Sequence, residues 1–275
     1  VLYDQAAFIK AGLPLPAEVI SNDDLANVGK QLNTKLGKDY YAIDATVSLD
    51  FSYYIRQKGA SLFSKEGFKL GYDNDQYLSD FFKLKKSFTK NGIMGVGPTD
   101  QEKESLIVRG IAAFVSNTSN RIVVYNQLAN RTLKLMPLPV VSGVQEGNYL
   151  KPSMFLSMSS YSKKKDAAVK FIDFFMNDIP ANEILSGERG VPISKKVRED
   201  LLAKVSDVEK EQYTYIQYVS QHSKPIDPPA PKGSSKVINF LNRLSSQVND
   251  DAITPDDAAK QFREGAEAIL KEENL

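Results

Sequence analysis

Apolar residues in this chain fall into short continuous runs that alternate with stretches repeating every three or four positions. Ile111 to Val115 is one such run, of the kind a strand buried on both faces requires. Ser116, Asn117, Thr118 and Ser119 follow, small polar residues of the types favoured at helix N-caps. From Arg121 onward Ile122, Tyr125 and Leu128 repeat at three and four and predict a helix. A buried strand running straight into a capped helix leaves free backbone N–H groups at the strand's carboxyl end, where open α/β sheets bind ligands. Taken alone, the same pattern also fits an ordinary strand–turn–helix unit.

The rest of the chain extends this alternation. Val1 to Tyr3 reads as a strand, and Asp4 caps a brief helix that stops at Gly12, before Pro14 and Pro16. A helix from Asn22 to about Gly37 precedes a buried strand at Tyr40 to Ala45. Ser48 and Asp50 can cap the next helix, which carries Phe51, Tyr54 and Ile55 and ends at Gly59. Residues 61–70 carry a hairpin signal, and Tyr77, Phe81, Leu84 and Phe88 form one stripe of a long helix. Asn91 to Thr99 breaks the pattern with Gly and Pro, and Thr99 caps a predicted helix through about Arg109. Strands are expected at Leu133 to Leu138 and at Met154 to Met158, with a loop at Val140 to Lys151 between them. Ser162 caps a helix whose Ala168, Phe171, Ile172 and Phe175 share a face. The remainder is helical apart from the Pro-rich run Lys224 to Lys232, and Thr254-Pro255 opens the last helix. Strands that alternate with helices to about residue 160 and then give way to helix argue for an α/β sheet layered with helices.

Composition narrows the chemistry. With 42% hydrophobic and 25% charged residues the chain belongs among globular proteins. Its net charge of +1 gives no electrostatic case for nucleic acid or an anionic membrane surface. No apolar run reaches the length of about eighteen residues that a membrane-crossing helix needs. The lack of cysteine and the single histidine, His222, exclude disulfides, Cys/His zinc sites and Ser–His–Asp machinery. His222 ends a helical pattern, where it suits the helix dipole. Gly95-Val-Gly97 lacks the third glycine of a dinucleotide fingerprint, no phosphate-binding loop occurs, and Asp73-Asn-Asp75 lacks the glycine and closing glutamate of a calcium loop. A pair of catalytic carboxylates remains open among 34 acidic residues. Tyrosine faces and Asn side chains, abundant here with 13 Tyr and no Trp, suit a polyhydroxylated ligand, although most aromatics belong to the core.

Several local signatures stand in a familiar order: Leu2-Tyr-Asp-Gln-Ala-Ala-Phe8, Gly59-Ala-Ser-Leu-Phe63, Arg109-Gly-Ile-Ala-Ala-Phe114 and Leu135-Met-Pro-Leu-Pro139. Ser162-Lys-Lys-Lys-Asp-Ala-Ala168, Gly190-Val-Pro192 and Thr254-Pro-Asp-Asp-Ala-Ala259 continue it. This order resembles the bacterial extracellular solute-binding proteins of family 1, the sugar-binding group that includes maltose-binding protein. The resemblance implies a two-lobed, periplasmic-binding-protein-like (class II) α/β fold. Residues 1–151 would form most of the C-terminal-type lobe, residues 152–192 a segment of the N-terminal-type lobe, and residues 193–275 the helical return. It implies a receptor without catalysis, metal or cofactor, which hands a carbohydrate, an oligosaccharide above all, to the membrane permease of an ABC importer. It places the protein outside the cell or in the periplasm, lipid-anchored through a preceding segment. In the family a long N-terminal segment comes before the Leu2-Tyr-Asp-Gln stretch, so the resemblance also implies that most of the N-terminal lobe is missing from these residues.

On the family's ligand side the resemblance places Ser48, Asp50 and Tyr53, then Asn117 and Ser119, then Tyr149 and Lys151, with Ser234 and Ser235 at a fourth corner. Arg189 stands just before the Gly-Val-Pro turn, and with Lys151 it suits an acidic or phosphorylated group as well as it suits an ordinary surface. Where the family often carries Gly-x-Trp, this chain has Asn117-Thr-Ser119, which removes the usual aromatic platform. A carbohydrate-active enzyme with paired carboxylates and a structural surface domain remain the competing readings. Because the family traps ligand between two lobes, the 275 residues are expected to bind sugar weakly or not at all beside a two-lobed protein containing them. Calorimetry on both checks this, and equal affinity would show the lobes to be wrongly mapped.

Overall fold

The computed structural model describes residues 1–45, 50–97, 101–141, 147–187 and 189–274. Within them, strands β1 (Leu2–Asp4), β2 (Tyr41–Asp44), β3 (Met94–Gly95), β4 (Ala112–Val115) and β5 (Leu133–Leu135) form one sheet in the order β3-β2-β4-β1-β5. β2 runs parallel to β3 and β4, whereas β1 runs antiparallel to both β4 and β5. All four residues of β4 are buried, as its apolar run requires. Phe114 lies in a core with Phe8, Leu25 and Leu32, from helices α1 (Gln5–Ala11) and α2 (Asn22–Leu36). Ala112 and Val115 lie in another with Ile122 and Tyr125 of helix α5 (Ile122–Ala129). Helix α2 comes so close that a Cβ on Gly29 would sit 2.9 Å from the Cβ of Ala42, so only glycine fits there.

A third core joins helices α3 (Phe51–Gln57) and α4 (Gln76–Lys90) to α10 (Ser234–Asn249) and α11 (Pro255–Glu273) through Phe51, Phe81, Phe82, Leu241, Leu244 and Phe262. Helices α1 and α11 begin where their capping residues predict, and α2 begins after a cap that the sequence reading did not name. Asp4 accepts from Ala6 and Ala7 N–H, Ser21 forms a capping box with Asp24, and Thr254 accepts from Asp257 N–H ahead of Pro255. Helix α9 (Asp207–Gln221), opened by a Ser206–Glu209 capping box, packs on α5 and β5. Its Glu211 accepts the Leu135 N–H at 3.1 Å and the Lys134 ammonium at 3.0 Å. Helices α6 (Lys165–Asn177), α7 (Ile179–Leu185) and α8 (Lys195–Leu202) complete the set.

Several expected elements differ. The helix expected to run to Arg109 is a short 3-10 turn at Glu102–Glu104 followed by turns, and Thr99 lies outside the described residues. The adjacent Leu106 and Ile107 both bury, and the Asp44 carboxylate takes the Ile107 N–H at 3.1 Å, a contact that holds a compact turn. The break after Asn91 conceals β3, whose Gly95 lies under the Tyr41 ring where no side chain fits. Helix α5 is entered through a 3-10 turn at Ser119–Arg121, and Arg121 occupies its cap position without a side-chain cap bond. Asn117 instead turns its carbonyl onto the adjacent Thr118 N–H at 2.8 Å. Strand β5 stops at Leu135, and the next carbonyl, of Met136, accepts from the Val1 ammonium. Met154 to Met158 forms no strand. Every residue from Tyr149 to Tyr161 is exposed, and a strand needs a neighbour for its backbone groups. Ser162 accepts from Lys164 N–H at 3.2 Å, so α6 starts later, with Lys164 at the cap position.

Helix α6 has the apolar face its spacing predicts, yet none of its residues is buried, and Phe171 stays 58% exposed. The stability of the described fold therefore rests on the three cores above and on a smaller one in which Val197, Leu201, Val205 and Tyr213 meet Ile179 and Val191. Phe262→Ala, at a fully buried site shared by four helices, is expected to lower the unfolding free energy by about 3–5 kcal/mol in urea titration.

Candidate functional site

β2 and β4 are parallel neighbours, with Asp44 opposite Val115, so both strands end at the same edge of the sheet. The first leads to Asp50, which caps α3 by accepting the Ser52 N–H at 2.8 Å. Ser48 lies outside the described residues. Every residue of α3 except Ser52 is buried, so its polar side chains need partners inside the protein. The Tyr53 hydroxyl lies 3.2 Å from the Leu138 carbonyl and 3.4 Å from Asn148 Oδ1. Gln57 donates to the Pro139 carbonyl at 3.3 Å and accepts from the Val141 N–H at 2.7 Å. Arg56 donates to the carbonyls of Gly147 and Pro225 and pairs with Asp227. Its guanidinium carbon lies 4.9 Å from the centre of the Tyr149 ring. Burial pushes the Tyr149 phenol up from its ordinary pKa, and the Asp50 charge adds to this while Arg56 opposes it, so the group is a neutral hydrogen-bonding phenol at pH 7.

The second loop carries Asn117 and Ser119. Asn117 Nδ2 lies 3.4 Å from the hydroxyl of Tyr125, whose ring is fully buried. Arg121 beside them pairs with Glu102, its Nε donating at 2.7 Å. The edge thus gathers Asp50, Tyr53 and Tyr149 around α3, with Asn117 and Ser119 on the neighbouring loop. Lys151 lies two residues beyond Tyr149 on the exposed stretch, and the carbonyl of Arg189 accepts from Ser153 Oγ on the same stretch. Ser234 and Ser235 open α10 at a different corner. There Gly233 has a positive φ of 81°, Ser234 N–H donates to the Pro231 carbonyl, and Lys236 pairs with Glu273 of α11.

Arg56, Asn148 and Asp227 escaped the sequence reading. A periodic pattern marks Phe51, Tyr54 and Ile55 as apolar positions, but it cannot show that the polar positions between them are buried as well. Among the described residues no three His, Asp or Glu side chains gather in a way that would hold a metal ion. No helix there is long and apolar enough to cross a membrane.

A sheet whose parallel strands end beside polar and aromatic side chains is an arrangement at which α/β proteins bind small molecules. Residues 1–179 match the family model of bacterial extracellular solute-binding proteins, and the chain belongs to that family. An extracellular solute-binding protein family 1 structure from Alicyclobacillus acidocaldarius is similar, at 27% identity and a TM-score of 0.83, over 98% of this chain and 69% of that one. A periplasmic oligogalacturonide-binding protein from Yersinia enterocolitica, solved with saturated digalacturonic acid, matches at 23% identity and a TM-score of 0.81, over 100% of this chain and 71% of that one. A designed esterase matches at 21% identity and a TM-score of 0.81, again over 100% and 71%. The latter two likenesses concern the fold, which is the periplasmic-binding-protein-like α/β fold.

Asn117→Ala leaves the buried Tyr125 hydroxyl without the Asn117 amide. It is expected to cost about 1 kcal/mol of stability by urea titration.

Proposed function

We propose that the chain is the carbohydrate-binding part of an ABC importer's substrate receptor, that its ligand is an oligosaccharide, and that it catalyses no reaction on that ligand. Membership of an extracellular solute-binding family is the observation that carries this reading. The edge described above supports it, because tyrosine faces and amide side chains suit the hydroxyls and C–H faces of a sugar. In this reading Asp50, Tyr53, Asn117, Ser119 and Tyr149 line the ligand's bed, with Ser48 on the same loop as Asp50. Lys151 and Arg189 flank it, and Ser234 and Ser235 supply the outlying corner. The partner that receives the sugar is the importer's membrane permease.

The charge of the ligand follows from the flanking cations. Lys151 and Arg189 favour an acidic sugar, and the Yersinia enterocolitica neighbour's digalacturonic acid is one. The lobes are proposed as residues 1–151 and 193–275 on one side and residues 152–192 on the other. The exposed apolar residues Phe155, Phe171 and Phe174 support that division, since among the described residues of the second piece only the end near Ile179 and Val191 packs on the first, against Val197, Leu201 and Tyr213.

A thermal-shift screen followed by calorimetry with maltotriose and trigalacturonate tests the proposal. Trigalacturonate is expected to raise the melting temperature and to be recovered intact. Lys151→Ala should weaken it more than it weakens maltotriose. Release of shorter sugars would overturn the receptor reading in favour of an enzyme with paired carboxylates, and binding of neither sugar class by a two-lobed protein containing these residues would overturn the carbohydrate reading.

A further inference from the structure

We propose that Arg56 is a positioning residue for this site, a buried clamp that holds Tyr149 as a ready-made platform where the chain leaves its folded body. The proposal rests on the carbohydrate reading only for what lies on the platform. Arg56 is 7% exposed, and a guanidinium taken out of water is tolerated only when its N–H groups find acceptors. Those acceptors come from two remote segments. Nε donates to the Gly147 carbonyl at 3.0 Å, Nη2 donates to the Pro225 carbonyl at 3.0 Å, and Nη1 pairs with Asp227. The face of the same cation lies against the Tyr149 ring. One side chain thus joins α3, residues 147–149 and residues 225–227.

The neighbouring contacts lock the same three residues. A Cβ on Gly147 would sit 2.8 Å from the Tyr53 carbonyl and 3.3 Å from Arg56 Cβ, so the backbone is pressed onto α3 where only glycine fits. Asn148 is 6% exposed, with its Oδ1 beside the Tyr53 hydroxyl and its carbonyl accepting the Lys224 N–H at 3.1 Å. Tyr149 follows at 36% exposure, and each residue from Leu150 to Tyr161 is exposed. The ring is therefore held on one side and partly open to solvent at the last anchored position. An aromatic fixed before its ligand arrives binds more tightly than one that must be ordered on contact. Lysine cannot replace the clamp, because an ammonium lacks the planar fork and the stacking face.

The chain has no tryptophan, so Tyr149→Trp provides a single fluorescent reporter at the platform. In that background, without ligand, Arg56→Lys and Arg56→Met are expected to raise acrylamide quenching and lower the anisotropy of the indole, with circular dichroism unchanged. Unchanged quenching in both variants would overturn the clamp. Calorimetry with trigalacturonate and maltotriose then completes a double-mutant cycle in the natural background. Arg56→Met should weaken binding about tenfold when Tyr149 is present and less than about twofold in Tyr149→Ala, a coupling of at least about 1 kcal/mol. Equal losses in both backgrounds would mean that Arg56 acts on structure generally, and would overturn the proposal. If Arg56→Met does not fold, Arg56→Lys carries the same cycle. A loosened indole together with no binding of either sugar by the unsubstituted two-lobed protein containing these residues upholds the clamp and overturns the carbohydrate reading alone.

Discussion

The parallel pairing of β2 with β4 is the constraint on which the site depends. Parallel strands end at the same edge, and the register of Asp44 against Val115 sets those ends level with each other. That edge collects Asp50 and the start of α3 on one side and Asn117 to Arg121 on the other. Asp44 strengthens the arrangement from within. It is fully buried, and it holds the turn before β4 through the Ile107 N–H. Loss of that carboxylate would disturb the strand and the loop beyond it together.

Elements with strong local chemistry were readable in advance. Asp4 and Thr254 cap the helices that follow them, and the stripe Tyr77, Phe81, Leu84 and Phe88 does belong to one long helix. What escaped depends on contacts distant in sequence. β3 is two residues long and exists because Ile43 and Asp44 stand beside Met94 and Gly95. Leu106 and Ile107 read equally well as one turn of a helix, and only the position of Asp44 decides between helix and compact turn. Met154 to Met158 has the composition of a strand but no strand beside it. The Asp50, Tyr53 and Tyr149 group could be named from family order, whereas its support by Arg56 and Asp227 spans a separation of 171 residues that no local pattern encodes.

Two kinds of surface meet at Tyr149. Before it, polar side chains are buried and matched to acceptors, so the backbone from Gly147 to Asn148 has little freedom. After it, apolar side chains such as Met154 and Phe155 face solvent. Burying a large apolar side chain is worth about 1.5–3 kcal/mol, so the exposed stretch and α6 hold unspent association energy. A rigid anchor thus stands directly beside an uncommitted apolar surface.

The two ends of the sheet differ from its middle in another way. At one end β3 offers only two residues to an approaching strand. At the other end Glu211 already occupies the Leu135 N–H of β5 and draws Lys134 to itself. A strand from another molecule arriving at β5 would have to displace a carboxylate from an amide and leave that charge beside its own backbone carbonyls. The sheet is thus insulated against edge-to-edge polymerisation by one glutamate borrowed from a helix.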